Sequence, residues 1–234
     1  MIRLKTEYLT STLIMLMMIF AVNFSGCTDT TTNSTMTDNL TLSVTSSADS
    51  TGDSQSILIL DTVKLLIKDI KLNTANNNQD STNFKTGPYI LYVNLNSSVN
   101  TISSAIIPSG SYDKIKFEVH KLNNDEEVPD PDFADANGRF SVVVKGRYSG
   151  SRFVYKSAKS AHQILSFQSN VTLSPESRLN ITMLLRPYIW FIGNGEYLDP
   201  RNSENMNDID NNIKNNINNN FKAFKDNDKN GLPD

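Results

Sequence analysis

The sequence has little of the chemistry on which several protein classes depend. Its 234 residues contain one Cys, two His and one Trp. A single Cys excludes an intramolecular disulfide, a zinc site built from several Cys and a thioredoxin-like Cys pair. Lys and Arg number 22 against 25 Asp and Glu, which gives a net charge of −3. No basic block provides the phosphate contacts of a general nucleic-acid binder, so we expect no nucleic-acid partner.

The motifs of common catalytic sites are also missing from the sequence. No Gly-x-Ser-x-Gly elbow, His-Glu-x-x-His helix or phosphate-binding loop accompanies His120 and His162. Gly193 and Gly195 flank Asn194 in a pattern typical of a turn, because the third Gly and the βαβ context of a dinucleotide loop are lacking. The sequence therefore predicts a protein that is not an enzyme.

The N-terminal segment is typical of a secretory signal. Arg3 and Lys5 precede an uninterrupted apolar stretch at 13–22. Such a stretch fits the ~7–15 apolar residues of a signal peptide and is shorter than the ~20 of a membrane-spanning helix. Ser25 and Gly26 then precede Cys27, an order that resembles a bacterial lipobox. The resemblance implies that residues 1–26 are removed and that Cys27 is lipidated; a buried free cysteine beside an ordinary signal peptide is the alternative.

Residues 27–56 have the composition of a tether. Ser and Thr occupy more than half of the positions from 28 to 56, a composition that buries little apolar surface. Leu40, Leu42 and Val44 alternate with polar residues and can begin a first strand. Thr28 follows Cys27 where inner-membrane lipoproteins of some bacteria carry Asp, which favours the outer membrane. We therefore expect a chain anchored to the bacterial cell envelope, with its periplasmic or surface exposure left open.

Alternation of apolar and polar residues dominates between residues 57 and 192. Ile115, Phe117 and Val119 alternate with polar residues, and the same pattern occurs at 140–145 and 179–186. Such runs indicate strands with one buried face. The pattern changes face near Leu65 and Leu66, which suggests a bulge. About nine short strands without helical repeats between them predict an antiparallel β-sandwich over residues 57–192.

A C-terminal section at residues 193–234 is rich in Asn, which is the commonest residue type between positions 202 and 230. Six apolar residues spaced three or four apart nevertheless predict a helix of about five turns: Met206, Ile209, Ile213, Ile217, Phe221 and Phe224. Asn is a poor helix former, so this helix depends on docking its apolar stripe. The stripe packs either on its own domain or on a partner.

The sequence ends with oxygen-bearing side chains at alternate positions followed by Gly231. Oxygen ligands and a Gly that permits a sharp turn suit Ca²⁺. The segment resembles the first nine positions of calcium loops in EF-hand, dockerin and type-3-repeat segments, which implies these ligands: Asp226, Asp228, Asn230, Leu232 through its carbonyl oxygen, and Asp234. No bidentate Glu follows, so we expect a weak site, with a Kd of ~10⁻⁴–10⁻³ M. A solvated acidic terminus is the alternative.

A second acidic stretch lies in a predicted loop and ends at Asn137-Gly138. Six carboxylates lie close together in it: Asp125, Glu126, Glu127, Asp130, Asp132 and Asp135. Their spacing matches no calcium motif. The stretch is either a solvated loop or a binding loop.

Gly110, Tyr112 and Ile115 form a Gly-x-Tyr-x-x-Ile pattern at a predicted strand. The pattern resembles the strand motif of a family of bacterial envelope proteins, often lipoproteins, with a transthyretin-like or immunoglobulin-like domain. Segments at 63–72, 129–133, 153–157 and 199–228 are also similar to that family. The resemblance covers about residues 57–234 and implies a Greek-key sandwich and a lipid anchor. It implies no activity.

Three hypotheses about function follow from the sequence. The first is a non-catalytic, lipid-anchored envelope module that binds or adheres to a protein or glycan and carries a weak structural Ca²⁺ site. The second is a structural component of an envelope assembly. The third is a hydrolase of envelope polymers.

Overall fold

Two β-sheets hold most of the strands in the computed structural model, which describes residues 38–47, 57–75, 81–219 and 221–234. The predicted signal segment and Cys27 lie outside the described residues. In chain order the strands are β1 (Leu40–Ser46), β2 (Leu58–Thr74), β3 (Ser81–Val93), β4 (Asn100–Ala105), β5 (Gly110–Val119), β6 (Ala134–Asp135), β7 (Gly138–Arg139), β8 (Val142–Tyr148), β9 (Ser151–Ser157), β10 (Ala161–Leu173), β11 (Leu179–Leu185), β12 (Ile192–Gly193), β13 (Glu196–Tyr197) and β14 (Lys222–Lys225). The described helices are α1 (Met206–Asn219) and 3-10 helices at Pro131–Phe133, Pro187–Phe191 and Ser203–Asn205.

The strands pair in a smaller and a larger sheet. The smaller sheet has the order β14–β11–β1–β4, and the larger has the order β10–β5–β2–β8–β9 with β3 also paired to β2. All of these pairs are antiparallel except β1 with β11, which is parallel. Buried side chains of both sheets belong to one apolar cluster, so the arrangement is sandwich-like. The predicted mainly β, antiparallel class is confirmed, with one parallel pair as the exception.

Strand β2 organises the larger sheet because it pairs with three strands. Its first half pairs with β8, its second half pairs with β5, and β3 runs beside most of its length. The predicted bulge is present but lies slightly later, since the register to both β3 and β5 shifts just after Ile67. Leu66 is buried on the face opposite the main core, in a small cluster with Leu122, Phe133 and Val143. Both faces of β2 are therefore covered at this point.

The sheets begin earlier and end later than the sequence boundaries of 57 and 192. Strand β1 lies within the segment assigned to the tether, and its apolar face enters the core through Leu40, Leu42 and Val44. Strand β14 lies within the C-terminal section and pairs with β11. Alternation of residues marks a strand, but it does not reveal which distant segment will pair with it.

The predicted C-terminal helix is confirmed over Met206–Asn219 and is wrong beyond it. Ile209, Ile213 and Ile217 are fully buried in the core of the same chain, whereas Met206 is exposed. Phe221 and Phe224 are buried as well, but outside the helix, and Phe224 lies in β14. The stripe thus packs on its own domain and not on a partner. No helix in the described ranges has the length and apolar character needed to cross a bilayer.

Candidate metal site and acidic loop

The C-terminal loop at residues 226–234 lies against the outer face of the smaller sheet. Asp226 N–H donates to the Asn180 carbonyl on β11 at 2.9 Å, and Lys229 Nζ donates to Thr101 Oγ1 on β4 at 3.0 Å. Gly231 lies beside Thr45 of β1, at a distance where an added Cβ would be 3.8 Å from the Thr45 methyl group. Contacts to three neighbouring strands fix the position of the loop.

Three carboxylates of this loop come together. Oxygens of Asp226, Asp228 and Asp234 all lie within 4.8 Å of one another, close enough for one metal ion to contact all three. Asp226 is fully buried and accepts three hydrogen bonds, from Thr182 Oγ1 at 2.6 Å, Asn230 N–H at 2.9 Å and Gly231 N–H at 3.1 Å. Asp228 and Asp234 are exposed, so water and ions reach the triad from the solvent side.

The other two predicted ligands are placed differently. Asn230 uses its side chain within the loop, where Oδ1 accepts from Leu232 N–H at 2.7 Å and Nδ2 donates to Asp228 at 2.8 Å. Leu232 is exposed. Gly231 has a φ of +83°, the left-handed conformation for which a Gly was predicted at this turn. The described triad is therefore a subset of the five ligands expected from sequence.

Buried polar side chains that position Asp226 were missed by the sequence analysis. Asn180 Nδ2 donates to the Asp226 carbonyl at 2.8 Å and to Thr182 Oγ1 at 2.9 Å. Ser43 Oγ on β1 donates to Asn180 Oδ1 at 2.7 Å. All four residues are buried. In the sequence, Asn180 and Thr182 alternate with apolar residues as if they faced solvent, and only the distant Asp226 explains their burial.

A groove with a volume of about 550 Å³ borders the same loop. It lies between β10 and β14, each at the edge of its sheet, and Gly231, Leu232 and Pro233 form part of its wall. Polar and apolar side chains both line it, among them Gln163 and Phe221. Concave sites of this size are the usual places for small ligands.

The second acidic stretch divides into a structural half and an exposed half. Lys64 of β2 contacts Asp130 at 2.6 Å and Asp132 at 2.7 Å, Lys145 of β8 contacts Asp132 at 2.7 Å, and Lys156 of β9 contacts Asp135 at 2.8 Å. Between them Phe133 is buried over Leu66. These ion pairs hold the loop over the outer face of the larger sheet. Asp125 and Glu127 stay exposed, and Glu126 accepts a hydrogen bond from Asn123 N–H at 2.6 Å.

The ion pairs shift the ionisation of the groups that form them. Hydrogen bonds from Lys64 lower the pKa of the Asp130 carboxyl, and hydrogen bonds from Lys145 and Lys64 lower the pKa of Asp132. Burial alone lowers the pKa of the Lys64 ammonium, but its hydrogen bonds to the two carboxylates outweigh burial and raise it. Each group is therefore held in its charged form.

Comparisons of the chain with protein-family models, curated proteins and solved structures find no match. Arguments about function consequently rest on the residues and the geometry described above.

The ion pairs of Lys64 and Lys145 with Asp130 and Asp132 predict a free energy of unfolding that decreases in acid. The carboxyls of Asp130 and Asp132 have pKa values below the ~3.9 of an unfolded Asp, so their contribution is present above that pH and is lost as the pH falls through the folded-state pKa values. Lys64→Met should lower the free energy of unfolding at pH 7, and the difference from wild type should shrink below about pH 4. Urea unfolding between pH 7 and 2.5 measures this.

Lys68→Met on the same strand is the matched control, because Lys68 is half exposed and lies 3.8 Å from Glu118. Its effect should stay within about 0.5 kcal/mol at all pH values. A constant difference for Lys64→Met across the pH range would contradict the prediction.

Proposed function

We propose that the protein is a non-catalytic, lipid-anchored module of the bacterial cell envelope that binds a protein or glycan and is stabilised by Ca²⁺ in its C-terminal loop. The observation that carries the proposal is the fully buried Asp226 beside Asp228 and Asp234. A buried carboxylate is costly unless its charge is compensated. Three hydrogen bonds offset part of this cost, and among the described residues no Lys, Arg or His forms an ion pair with Asp226. A cation bound by the three carboxylates would supply the remaining compensation.

The donor set of the loop favours a hard cation. Its three charged groups are carboxylates, and its remaining donors are amide and carbonyl oxygens, which suit Ca²⁺ better than metals that prefer nitrogen or sulfur. Exposure of Asp228 and Asp234 leaves room for water ligands. Because three carboxylates without a bidentate Glu make an incomplete cage, a Kd of ~10⁻⁴–10⁻³ M is expected, as in extracellular modules.

The proposed location in the envelope rests on Cys27. The fold limits how far the folded module can lie from that residue. Only the short segment 28–39 separates Cys27 from β1. A chain of that length reaches at most about 40 Å when fully extended. The folded module thus stays close to the membrane that carries the lipid. Thr28 favours the outer membrane, and the Gly-x-Tyr-x-x-Ile strand, now β5, supports kinship with transthyretin-like or immunoglobulin-like envelope sandwiches.

The structural-component hypothesis, in which the helix stripe and the C-terminal loop dock onto an envelope assembly, loses the stripe. Ile209, Ile213 and Ile217 are buried inside the chain, so only the loop stays available for such docking. Two features remain available to a protein or glycan: the groove between β10 and β14, and the exposed carboxylates Asp125 and Glu127. These features favour a binding module. A hydrolase that uses the 125–135 stretch has only the same two carboxylates free of a structural role.

Calcium should raise the melting temperature of the protein. With a Kd of ~10⁻⁴–10⁻³ M, 10 mM Ca²⁺ stabilises the folded state by about 1.4–2.7 kcal/mol, or roughly 3–10 °C for a domain of this size. Asp228→Asn removes a ligand without changing a buried group and should abolish the rise. Asp208→Asn, on the exposed face of α1, is the control and should keep it. The absence of a rise in the wild type would refute the calcium site.

Replacement of Cys27 should release the protein from the membrane. Two or more acyl chains give firm anchoring at ~0.8 kcal/mol per buried CH₂, and Cys27→Ala removes their attachment point. Cell fractionation should find the wild type in the membrane pellet and Cys27→Ala in the soluble envelope fraction. Protease treatment of intact cells then distinguishes a surface from a periplasmic location. Equal pelleting of both proteins would argue against lipidation.

A retention experiment tests directly whether the protein binds an envelope component. The chain from Thr28 onward, immobilised on beads, should retain a component of solubilised envelopes above a heat-denatured control. The double variant Asp125→Asn/Glu127→Gln should weaken this retention if the exposed carboxylates contribute, whereas Asp208→Asn should not. Retention no greater than that of the denatured control would overturn the binding proposal.

A further inference from the structure

Both histidines of the chain meet at one carboxylate oxygen. His120 follows β5, His162 lies in β10, and the pairing of these strands places His162 directly opposite Glu118. His120 Nδ1 lies 3.4 Å from Glu118 Oε1, and His162 Nε2 lies 3.5 Å from the same atom. The two histidines are far apart in the sequence, which gives no sign of their convergence.

The separation of each histidine from Glu118 Oε1 matches that between two ligand atoms of a tetrahedral metal ion, whereas the separation between the two histidines is larger. Two donors that each lie ~2.0–2.1 Å from Zn²⁺ at the tetrahedral angle are about 3.3–3.4 Å apart. The two distances to Glu118 Oε1, 3.4 and 3.5 Å, are close to this value. An imidazole pair with one carboxylate is also a donor set that divalent transition metals accept readily.

The neighbours of the cluster hold its carboxylate and one ring in place. Lys68 Nζ lies 3.8 Å from the other oxygen of Glu118, Oε2, and so leaves Oε1 directed at the histidines. Ser160 Oγ lies 3.3 Å from His120 Nδ1. Glu118 is 16% exposed and His120 is 29% exposed, whereas His162 is 79% exposed. Two of the three groups are thus partly buried, whereas the third is mostly exposed.

We propose that Glu118, His120 and His162 form a site for a divalent transition metal such as Zn²⁺ on the outer face of the larger sheet. The neutral imidazoles and Glu118 Oε1 supply three ligands, and water takes the open position. Binding requires His162 to turn toward His120, because among the described residues only the Asp226 triad has all three ligand atoms within 4.8 Å of one another. The 79% exposure of His162 leaves space for this rotation.

This site differs chemically from the C-terminal loop. The loop offers oxygen donors and favours Ca²⁺, whereas the cluster offers two imidazoles and favours Zn²⁺, Cu²⁺ or Ni²⁺. The positive charge of Lys68 opposes a bound cation, but that side chain is 55% exposed, so solvent screens its charge. The two sites therefore respond independently to the two classes of metal.

Isothermal titration of the full chain in detergent with Zn²⁺ tests the proposal. One equivalent should bind to the wild type, and His162→Gln and His120→Gln should each weaken binding at least tenfold. Ser166→Ala is the matched control, since Ser166 is an exposed residue of the same strand. Asp228→Asn should bind Zn²⁺ as the wild type does, which separates this site from the calcium loop.

Several results would overturn the assignment. One is Zn²⁺ binding that is unchanged in both His→Gln variants, and another is binding lost in Asp228→Asn, which would move the ion to the acidic loop. A wild type that takes up no Zn²⁺ even at a large excess over the protein would leave only a carboxylate–imidazole ion pair. The His162→Gln variant alters an exposed side chain, so its fold is expected to be intact; unchanged thermal unfolding without metal verifies this.

Discussion

A buried chain of hydrogen bonds joins the two ends of this fold. Ser43 on β1 donates to Asn180 on β11, Asn180 donates to Thr182 and to the Asp226 carbonyl, and Thr182 donates to the Asp226 carboxylate. Buried polar groups need partners, and removal of one partner leaves the others unsatisfied at ~1–3 kcal/mol each. The smaller sheet therefore depends on the C-terminal loop as much as the loop depends on the sheet.

The larger sheet also needs a cover on its outer face, and ion pairs hold that cover in place. Strand β2 is apolar on both faces around Leu65 and Leu66, so a single core cannot cover it. The acidic stretch supplies the second cover, and two of its carboxylates, Asp130 and Asp132, are neutralised by lysines of β2 and β8.

Local patterns predicted much of this fold, and long-range contacts account for the rest. The alternating run predicted as a strand at 179–186 forms β11 (Leu179–Leu185), because alternation of Ile181, Met183 and Leu185 is a local property. The same alternation assigned Asn180 and Thr182 to solvent, and their burial depends on a loop that is distant in the sequence. Phe221 and Phe224 continue the helical spacing, yet pairing of β14 with β11 overrides it.

The candidate sites also differ in how far apart their residues lie in the sequence, and this decides which of them could be predicted. The C-terminal loop is contiguous in the sequence, so spacing predicted the three carboxylates that the structure brings together, whereas the Asn230 side chain forms hydrogen bonds within the loop. The acidic stretch that looks like a binding loop in the sequence serves partly to cover an apolar strand, a role that only the distant Lys64 and Lys145 reveal. The histidine cluster combines residues from two strands and becomes visible only once β5 and β10 are paired.

The topology also places the C-terminal loop beside the first described strand. Strand β1 is the first described strand after Cys27, and on the face away from the core its Thr45 lies beside Gly231 of the loop. If Cys27 is lipidated as proposed, a pull on the anchor enters the described fold at β1. Parallel pairing with β11 and cover from the C-terminal loop would then resist that pull. A cation that cross-links the three carboxylates of the loop would therefore strengthen the fold beside β1, the strand that the proposed tether would enter.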